Sequence, residues 1–283
     1  MRIYGQIKDK FIMKNAREDW KDYRIRLTDL ILEQGPESVM LVGAGRCNDI
    51  DLHRLCDAVD RICLLDVDEA AKEDVLSVMP DRMRRKVDYR IASLTGIREA
   101  DMEAFCTRLL AFAKAAGSSR RADDYRRRVM TELDALSRLL VRDAENLHAV
   151  LPENAADILV CCGVHSQLFS MLSFFIRSVM YSLQDQLPGI GEMEQEVNDR
   201  IHLMNDQVIP VINRALYRAA SGAVIFGNEY MPERPVEGAY QCIQDVRSSM
   251  EPEETNLTWE FNRAEGITYD MLIQICRCER QER

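Results

Sequence analysis

The sequence predicts a doubly wound α/β protein built on a mostly parallel sheet. Three observations carry this: strand-like apolar runs alternate with amphipathic helical stretches between residues 38 and 92, a Gly43-Ala44-Gly45 turn follows the first run, and an acid, Asp66, closes the second. Parallel strands need a crossover, usually a helix, so this alternation with short connections implies a sheet covered on both faces.

The bulk properties bound the reading. At 283 residues, 47% hydrophobic and 30% charged, the chain has the composition of a soluble globular protein with one large core or two modest ones. The 37 Lys+Arg against 47 Asp+Glu leave a net charge of −10, which repels polyphosphate, so no nucleic-acid partner is expected. Nine cysteines without regular spacing argue for a reducing compartment and mostly small buried thiols rather than a disulfide framework. The opening MRIYGQIKDKFIMKNAREDW has neither an apolar core nor a small-residue cleavage site, so a cytoplasmic location is expected. The most apolar stretch, Ile158 to Tyr181, is broken by His165, Ser166, Gln167, Ser170, Ser173 and Arg177. A bilayer span needs about 20 predominantly apolar residues, so no membrane association is expected.

Along the chain, residues 8 to 34 carry apolar positions at helical spacing and stop at Gly35-Pro36, which predicts an N-terminal helix within a segment 1–37 that precedes the main domain. Ser38 to Val42 reads as the first strand, followed by the glycine turn, a polar cap at Asn48-Asp49 and a helix to about Val59. Arg61 to Asp66 is the second strand, Glu69 to Met79 a helix closed by Pro80, and Val87 to Ala92 the third strand. The pattern is then wholly helical, with segments near 99–116 and 122–150 split at Gly117-Ser-Ser119. A crossover rarely needs so much chain, so about 97–153 is expected to be an insertion in a domain running from 38 to 283. Its arginines, Arg120, Arg121, Arg126, Arg127 and Arg128, alternate with Asp123 and Asp124 and suit a solvated helix face better than an anion grip.

Asp157 to Cys162 is the fourth strand, and an apolar helix runs from about Leu168 to Leu183, as core, lid or a face for a second copy in a homodimer. Glu192 to Ala220 reads as a long helix that Pro210 should bend or split. Ala223 to Phe226 is the fifth strand, opening onto a turn at Asn228-Glu229-Tyr230. Residues 231–255 form a loop with a short helix, and Leu257 to Asn262 with Thr268 to Arg277 make a terminal hairpin.

Glycines at 43 and 45 allow a sharp turn and close approach of a ligand to a helix N-terminus, where unpaired N–H groups favour negative charge. Asp66, 23 residues after Gly43 at a strand end, suits the two hydroxyls of a ribose. Glycine turn and spaced acid together point to an adenosine-type ligand, while Asn48 stands where a dinucleotide fingerprint would need its third glycine.

The run VMLVGAGRCNDIDL followed by LLDVDEAA resembles motif I and the following acid of class I S-adenosylmethionine-dependent methyltransferases. From Ser38 onward, the insertion aside, the element order and the terminal hairpin are similar to that Rossmann-like family. The resemblance implies that Gly43, Ala44 and Gly45 line the methionine moiety of S-adenosylmethionine and that Asp66 holds the ribose. It further places Val67, Ser93 and Leu94 at the adenine, and Cys162 and Gly163 beside the sulfonium. The chain departs from the family at Leu41, where an acid is usual, and at Cys47, where the third motif glycine is usual. Asp49 is then either a replacement acid for the cofactor ammonium or merely a helix cap.

Methyl transfer needs an aligned nucleophile and, where that nucleophile is protonated, a base. His165, after the fourth strand at the edge where open α/β sheets bind ligands, is the candidate base, and Gln167, Asn228, Glu229 and Tyr230 are candidate substrate contacts. The family motif Asn-Pro-Pro-Tyr is absent after that strand, which argues against methylation of base amino groups. His202 and Asp206 share a helix face as a polar pair, and no cysteine pattern suits zinc. The sequence therefore favours a methyltransferase acting on a small molecule. The alternatives are aminopropyl transfer, as in nicotianamine-synthase-like proteins, and a non-catalytic nucleotide-binding or interaction protein with the same fold.

Overall fold

The computed structural model describes residues 3–119 and 122–278, and the chain divides into two compact units. One comprises Met13–Leu94, Asp143–Ser166 and Ile209–Arg283 and contains the whole sheet; the other comprises Met1–Ile12, Thr95–Arg142 and Gln167–Val208 and is helical. The expected insertion thus contributes to both, with 95–142 in the helical unit and 143–153 in the sheet unit.

In the sheet unit the strands are β1 (Ser38–Val42), β2 (Arg61–Asp66), β3 (Val87–Ile91), β4 (Ala156–Cys162), β5 (Ala220–Glu229), β6 (Glu253–Asn262) and β7 (Ile267–Arg277), in the order β3-β2-β1-β4-β5-β7-β6. The first five are parallel, and β7 and β6 are antiparallel additions. Central β1 is buried at every position, as a strand covered on both faces must be. Side chains alternate across a sheet, so each face can be read by parity. Val39, Leu41, Ile158, Val160, Ala223, Ile225 and Ile273 share a core with Tyr23, Leu27 and Ile31 of α3 (Lys21–Glu33). Met40, Leu159, Val224 and Phe226 are buried on the other face. On β5 that face receives α11 (Ala239–Ser249), through Cys242, Ile243 and Val246.

Several expectations are corrected. The N-terminal stretch is not one helix but α1 (Ile3–Lys10), α2 (Ala16–Asp19) and α3, interrupted over residues 11–15 and again at Trp20, whose indole N–H donates to the carbonyl of Phe261 at 2.9 Å. The helix after the glycine turn, α4 (Leu52–Ala58), is capped by Asp51, which accepts from the Arg54 nitrogen at 3.2 Å, and not by Asn48-Asp49. The expected helix after β2 is α5 (Glu69–Val78), and one further short helix, α6 (Asp81–Arg84), precedes β3. Strand β5 starts earlier than expected, where Ala220 pairs with Ala156 of β4, and ends later because pairing with β7 extends its ladder to Asn228↔Leu272 and Glu229↔Met271. Asn228 and Glu229 therefore belong to a strand rather than a turn.

In the helical unit, α7 (Glu99–Ser119) runs through the expected break at Gly117-Ser-Ser119; a glycine inside a helix costs only about 1 kcal/mol. The next helix, α8 (Ala122–Ser137), ends well before residue 150 and buries Tyr125, Val129, Leu133 and Leu136 along one stripe. Helix α9 (Ser170–Leu183) buries Leu172, Phe175, Ile176, Val179, Met180 and Leu183, which makes that face core, and packs Phe174 edge-on to Phe11 at 5.1 Å. Helix α10 (Met193–Ala219) continues through Pro210 without splitting, and the division between the units falls at Val208/Ile209. Arg126 pairs with Glu196, Arg127 with Asp124, and Arg128 lies over the Phe112 ring, while Arg120 and Arg121 are outside the described residues. His202 and Asp206 are an exposed pair at 3.4 Å. Among the described residues no helix is long and apolar enough to cross a membrane, and all nine cysteines are free.

Candidate functional site

The site is built from strand ends on the α3 side of the sheet. After β1 the chain turns because Gly43 and Gly45 adopt φ of +70° and +47°, and the Gly43 and Ala44 nitrogens donate to the Leu65 carbonyl at 2.8 and 3.1 Å. A Cβ on Gly43 would stand 2.3 Å from Val164 Cγ2, so only glycine fits there. At Gly45, by contrast, the same position meets no atom within 4 Å. The opening of the turn is at Gly45, and Val164 fills the space at Gly43. Cys47, where the motif would have glycine, keeps glycine-like geometry with φ of +53°.

Asp66 ends β2 facing this turn. Its Oδ2 accepts from the Gly45 nitrogen at 2.7 Å and its Oδ1 from the Asp68 nitrogen at 2.8 Å. Tyr89 from β3 donates to the Gly45 carbonyl at 3.0 Å, which fixes the other edge of the loop. Burial raises the Asp66 carboxyl above its ordinary value, and the backbone N–H groups of Asp68, Gly45 and Val67 oppose that. A carboxylate offers about four lone-pair positions, so these backbone donors leave acceptor capacity for a ribose hydroxyl. Val67 is exposed, Ser93 half-buried and Leu94 buried, all in the same unit. Half-buried Asp49, released from capping, has its carboxyl pushed up to about 6 by burial, with the nearby Arg24 pulling the other way. Open space at Gly45, spare acceptor capacity on Asp66 and an acid at Asp49 fit a nucleoside bearing a cationic amino-acid tail.

At the next strand ends, Cys162 follows Val160 by two and Glu229 follows Ile225 by four, so both face the α3 side. Tyr23 of α3 is buried near the Cys162 thiol; burial, then Cys162, Asp49 and Glu229, raise its phenol. Burial foremost, with Asp49 and Glu229 among the contributing charges, raises Cys162. Glu229 is 6% exposed, and burial raises its carboxyl. Its Oε1 accepts from Ser166 Oγ at 2.9 Å, whereas its Oε2, also buried, has no hydrogen-bond partner among the described residues.

Beside these groups stands a wall of rings. Trp259 stacks on Tyr23 with centroids 5.3 Å apart and meets Phe261 edge-on at 5.0 Å and Trp20 at 4.8 Å. Tyr269 is directly opposite Trp259 in the β6–β7 ladder. A Cβ on Gly163, whose φ is +64°, would come to 3.8 Å from the Trp259 ring. Tyr269 is raised by burial and then by the charge of Glu229. Sequence reasoning passed over Tyr23, Ser166, Trp259 and Tyr269. The signal for two of them was the period-two spacing of Trp259 and Phe261 in a strand paired with one carrying Tyr269.

The remaining candidates lie elsewhere. The His165 ring is buried, with Nε2 2.9 Å from Asn213 Oδ1, and Asn213 donates to Asp245 at 2.8 Å. It also neighbours Asn228 and Phe226, residues of the opposite sheet face. Burial pushes His165 down to about 4, so it is neutral at pH 7 and tied to α10 and α11. Asn228 is fully buried and donates to the Cys242 thiol at 3.3 Å. The structure therefore brings neither His165 nor Asn228 to the Gly45–Asp66–Glu229 side. Tyr230 is half-buried with Arg247 over its ring, and exposed Gln167 belongs to the helical unit, accepting from Ser170 at 3.0 Å.

No protein-family model matches the chain, and no curated protein matches its sequence. Solved structures with a similar fold include a SAM-dependent methyltransferase from Aquifex aeolicus (9% identity, TM-score 0.44, 96% of this chain and 98% of that one). A putative O-methyltransferase from Klebsiella pneumoniae is similar at 9% identity and TM-score 0.45, over 97% of this chain and 95% of that one. The N-methyltransferase NodS from Bradyrhizobium japonicum WM9 is similar at 12% identity and TM-score 0.41, over 94% and 99%. The fold itself rests on the strand order: a Rossmann-like, mostly parallel sheet with a reversed terminal hairpin.

Proposed function

We propose that the chain is an S-adenosylmethionine-dependent methyltransferase acting on a small molecule in the cytoplasm. The observation that carries this is the contact of Asp66 Oδ2 with the Gly45 nitrogen at 2.7 Å, beside open space at Gly45. On this reading Asp66 accepts the ribose hydroxyls, and the Gly43-Ala44-Gly45 backbone carries the methionine moiety with Asp49 at its ammonium. Val67, Ser93 and Leu94 border the adenine, and Cys162 and Gly163 flank the reacting centre. The cofactor, when bound, supplies a methyl carbon activated by positive sulfur. The protein's own task is to align the acceptor, exclude water with the ring wall and hold a proton at Glu229. His165, neutral and turned to the opposite face, fits a positioning role, fastening the loop after β4 to α10 and α11.

Calorimetry with S-adenosylmethionine and S-adenosylhomocysteine tests this reading. Saturable binding of both, weakened in Asp66→Asn, is expected; no binding of either at millimolar concentration overturns it. Buried Glu229 would also suit the amine acceptor of aminopropyl transfer. Product analysis separates the two, since one leaves S-adenosylhomocysteine and the other methylthioadenosine.

A further inference from the structure

The Glu229 carboxylate at the end of β5 is more than nine-tenths buried yet satisfied on one oxygen only. Buried polar groups in folded proteins are almost always paired, and an unpaired buried carboxylate is costly, so a donor binding there would relieve that cost. Among the described residues no lysine, arginine or histidine forms an ion pair with Glu229. The groups that feel its charge are Tyr23, Cys162 and Tyr269, none of them cationic. Asp49, on the same side, adds negative charge at Tyr23 and Cys162.

We propose that the acceptor is an amine, bound as its ammonium ion with nitrogen on Glu229 Oε2 and an apolar or aromatic body against the rings of Tyr23, Trp259 and Tyr269. This rests on the methyltransferase reading of the same site. An anionic acceptor would be repelled by Glu229 and Asp49, and a neutral hydroxyl would leave the buried charge uncompensated. Aromatic faces favour a cation further. Ser166 holds Oε1 and so orients Oε2. To make the nitrogen nucleophilic, one ammonium N–H bond breaks, its proton passes to Glu229 Oε2, and the electron pair stays on nitrogen. Burial, which raises the Glu229 carboxyl, favours that transfer.

The test is binding to the full chain without cofactor, by saturation-transfer NMR and calorimetry, with 2-phenylethylamine against 2-phenylethanol and 3-phenylpropionate. The amine should bind at least about tenfold tighter than either, because a charge-assisted hydrogen bond is at stake. Glu229→Gln should abolish this preference while its thermal midpoint equals or exceeds that of the parent, and Glu229→Asp should keep part of it. Equal binding of the three probes, no binding of any, or an amine preference that survives Glu229→Gln overturns the proposal. Should Glu229→Gln not fold, the three-probe comparison on the parent protein decides alone. S-adenosylhomocysteine is titrated into the same sample. Its binding without amine preference sinks this inference and leaves the methyltransferase reading, and amine preference without its binding does the reverse.

Discussion

Asp66 and Gly45, 21 residues apart, are joined by a hydrogen bond of 2.7 Å from the glycine nitrogen to the aspartate. That contact makes one site of two sequence motifs, since the strand-end acid and the glycine turn share an edge. Replacing Asp66 with Asn removes the charge and half the acceptor capacity. S-adenosylhomocysteine affinity should fall about 10–100-fold, the worth of a charge-assisted hydrogen bond, in calorimetry of the two proteins.

The two turn glycines should respond differently to alanine. Gly43→Ala sets a Cβ 2.3 Å from Val164 Cγ2 at positive φ, so overpacking adds to backbone strain, and a loss of roughly 2–5 kcal/mol is expected in denaturant unfolding. Gly45→Ala meets no atom and should lose only the roughly 1–2 kcal/mol of left-handed backbone, yet weaken cofactor binding by filling the opening. Equal stability losses would contradict this account.

His165 sets an acid limb on stability. Its folded pKa is depressed from 6.5 to about 4 by burial, so its contribution is present above 6.5 and is lost as pH falls toward 4. Acidification from pH 7.5 to 5 should cost the parent protein about 2 kcal/mol more than His165→Gln, read from urea midpoints at each pH.

Asp49 works in the opposite sense. Its folded pKa is raised from 3.8 to about 6, so its contribution is full below 3.8 and is lost as pH rises through 6. Without ligand, Asp49→Asn should be more stable than the parent at pH 7.5, by on the order of 2 kcal/mol, and should bind S-adenosylmethionine more weakly. A variant both less stable and unchanged in affinity would assign Asp49 a purely structural part.

Much of the sheet was legible because its strands are short apolar runs bounded by glycine, proline or acid: Ser38–Val42 and Arg61–Asp66 have the bounds the sequence predicts. The N-terminal helix and β5 were not, for tertiary reasons. Trp20, whose φ of −90° and ψ of 11° separate α2 from α3, anchors its indole on the distant Phe261 carbonyl, and β5 is prolonged by a partner more than forty residues later. Asp49 looked like a cap because aspartate commonly is one, and only the structure assigns that duty to Asp51. Glu229 was visible as a strand-end acid, but its buried surroundings come from Tyr23, Ser166 and Tyr269, three distant segments that no local pattern connects.

The alternation along β5 has one last consequence. Asn228 and Glu229 are neighbours in sequence, yet one is bonded to a thiol beneath α11 and the other faces the α3 side. Sliding β5 by a single residue against β7 would trade their places, sending the carboxylate among cysteine and asparagine and the amide to the rings. The seven-rung ladder from Ala223↔Arg277 to Glu229↔Met271 is thus a ruler as well as a scaffold, and a deletion far along the hairpin would erase the site's chemistry without touching a residue in it.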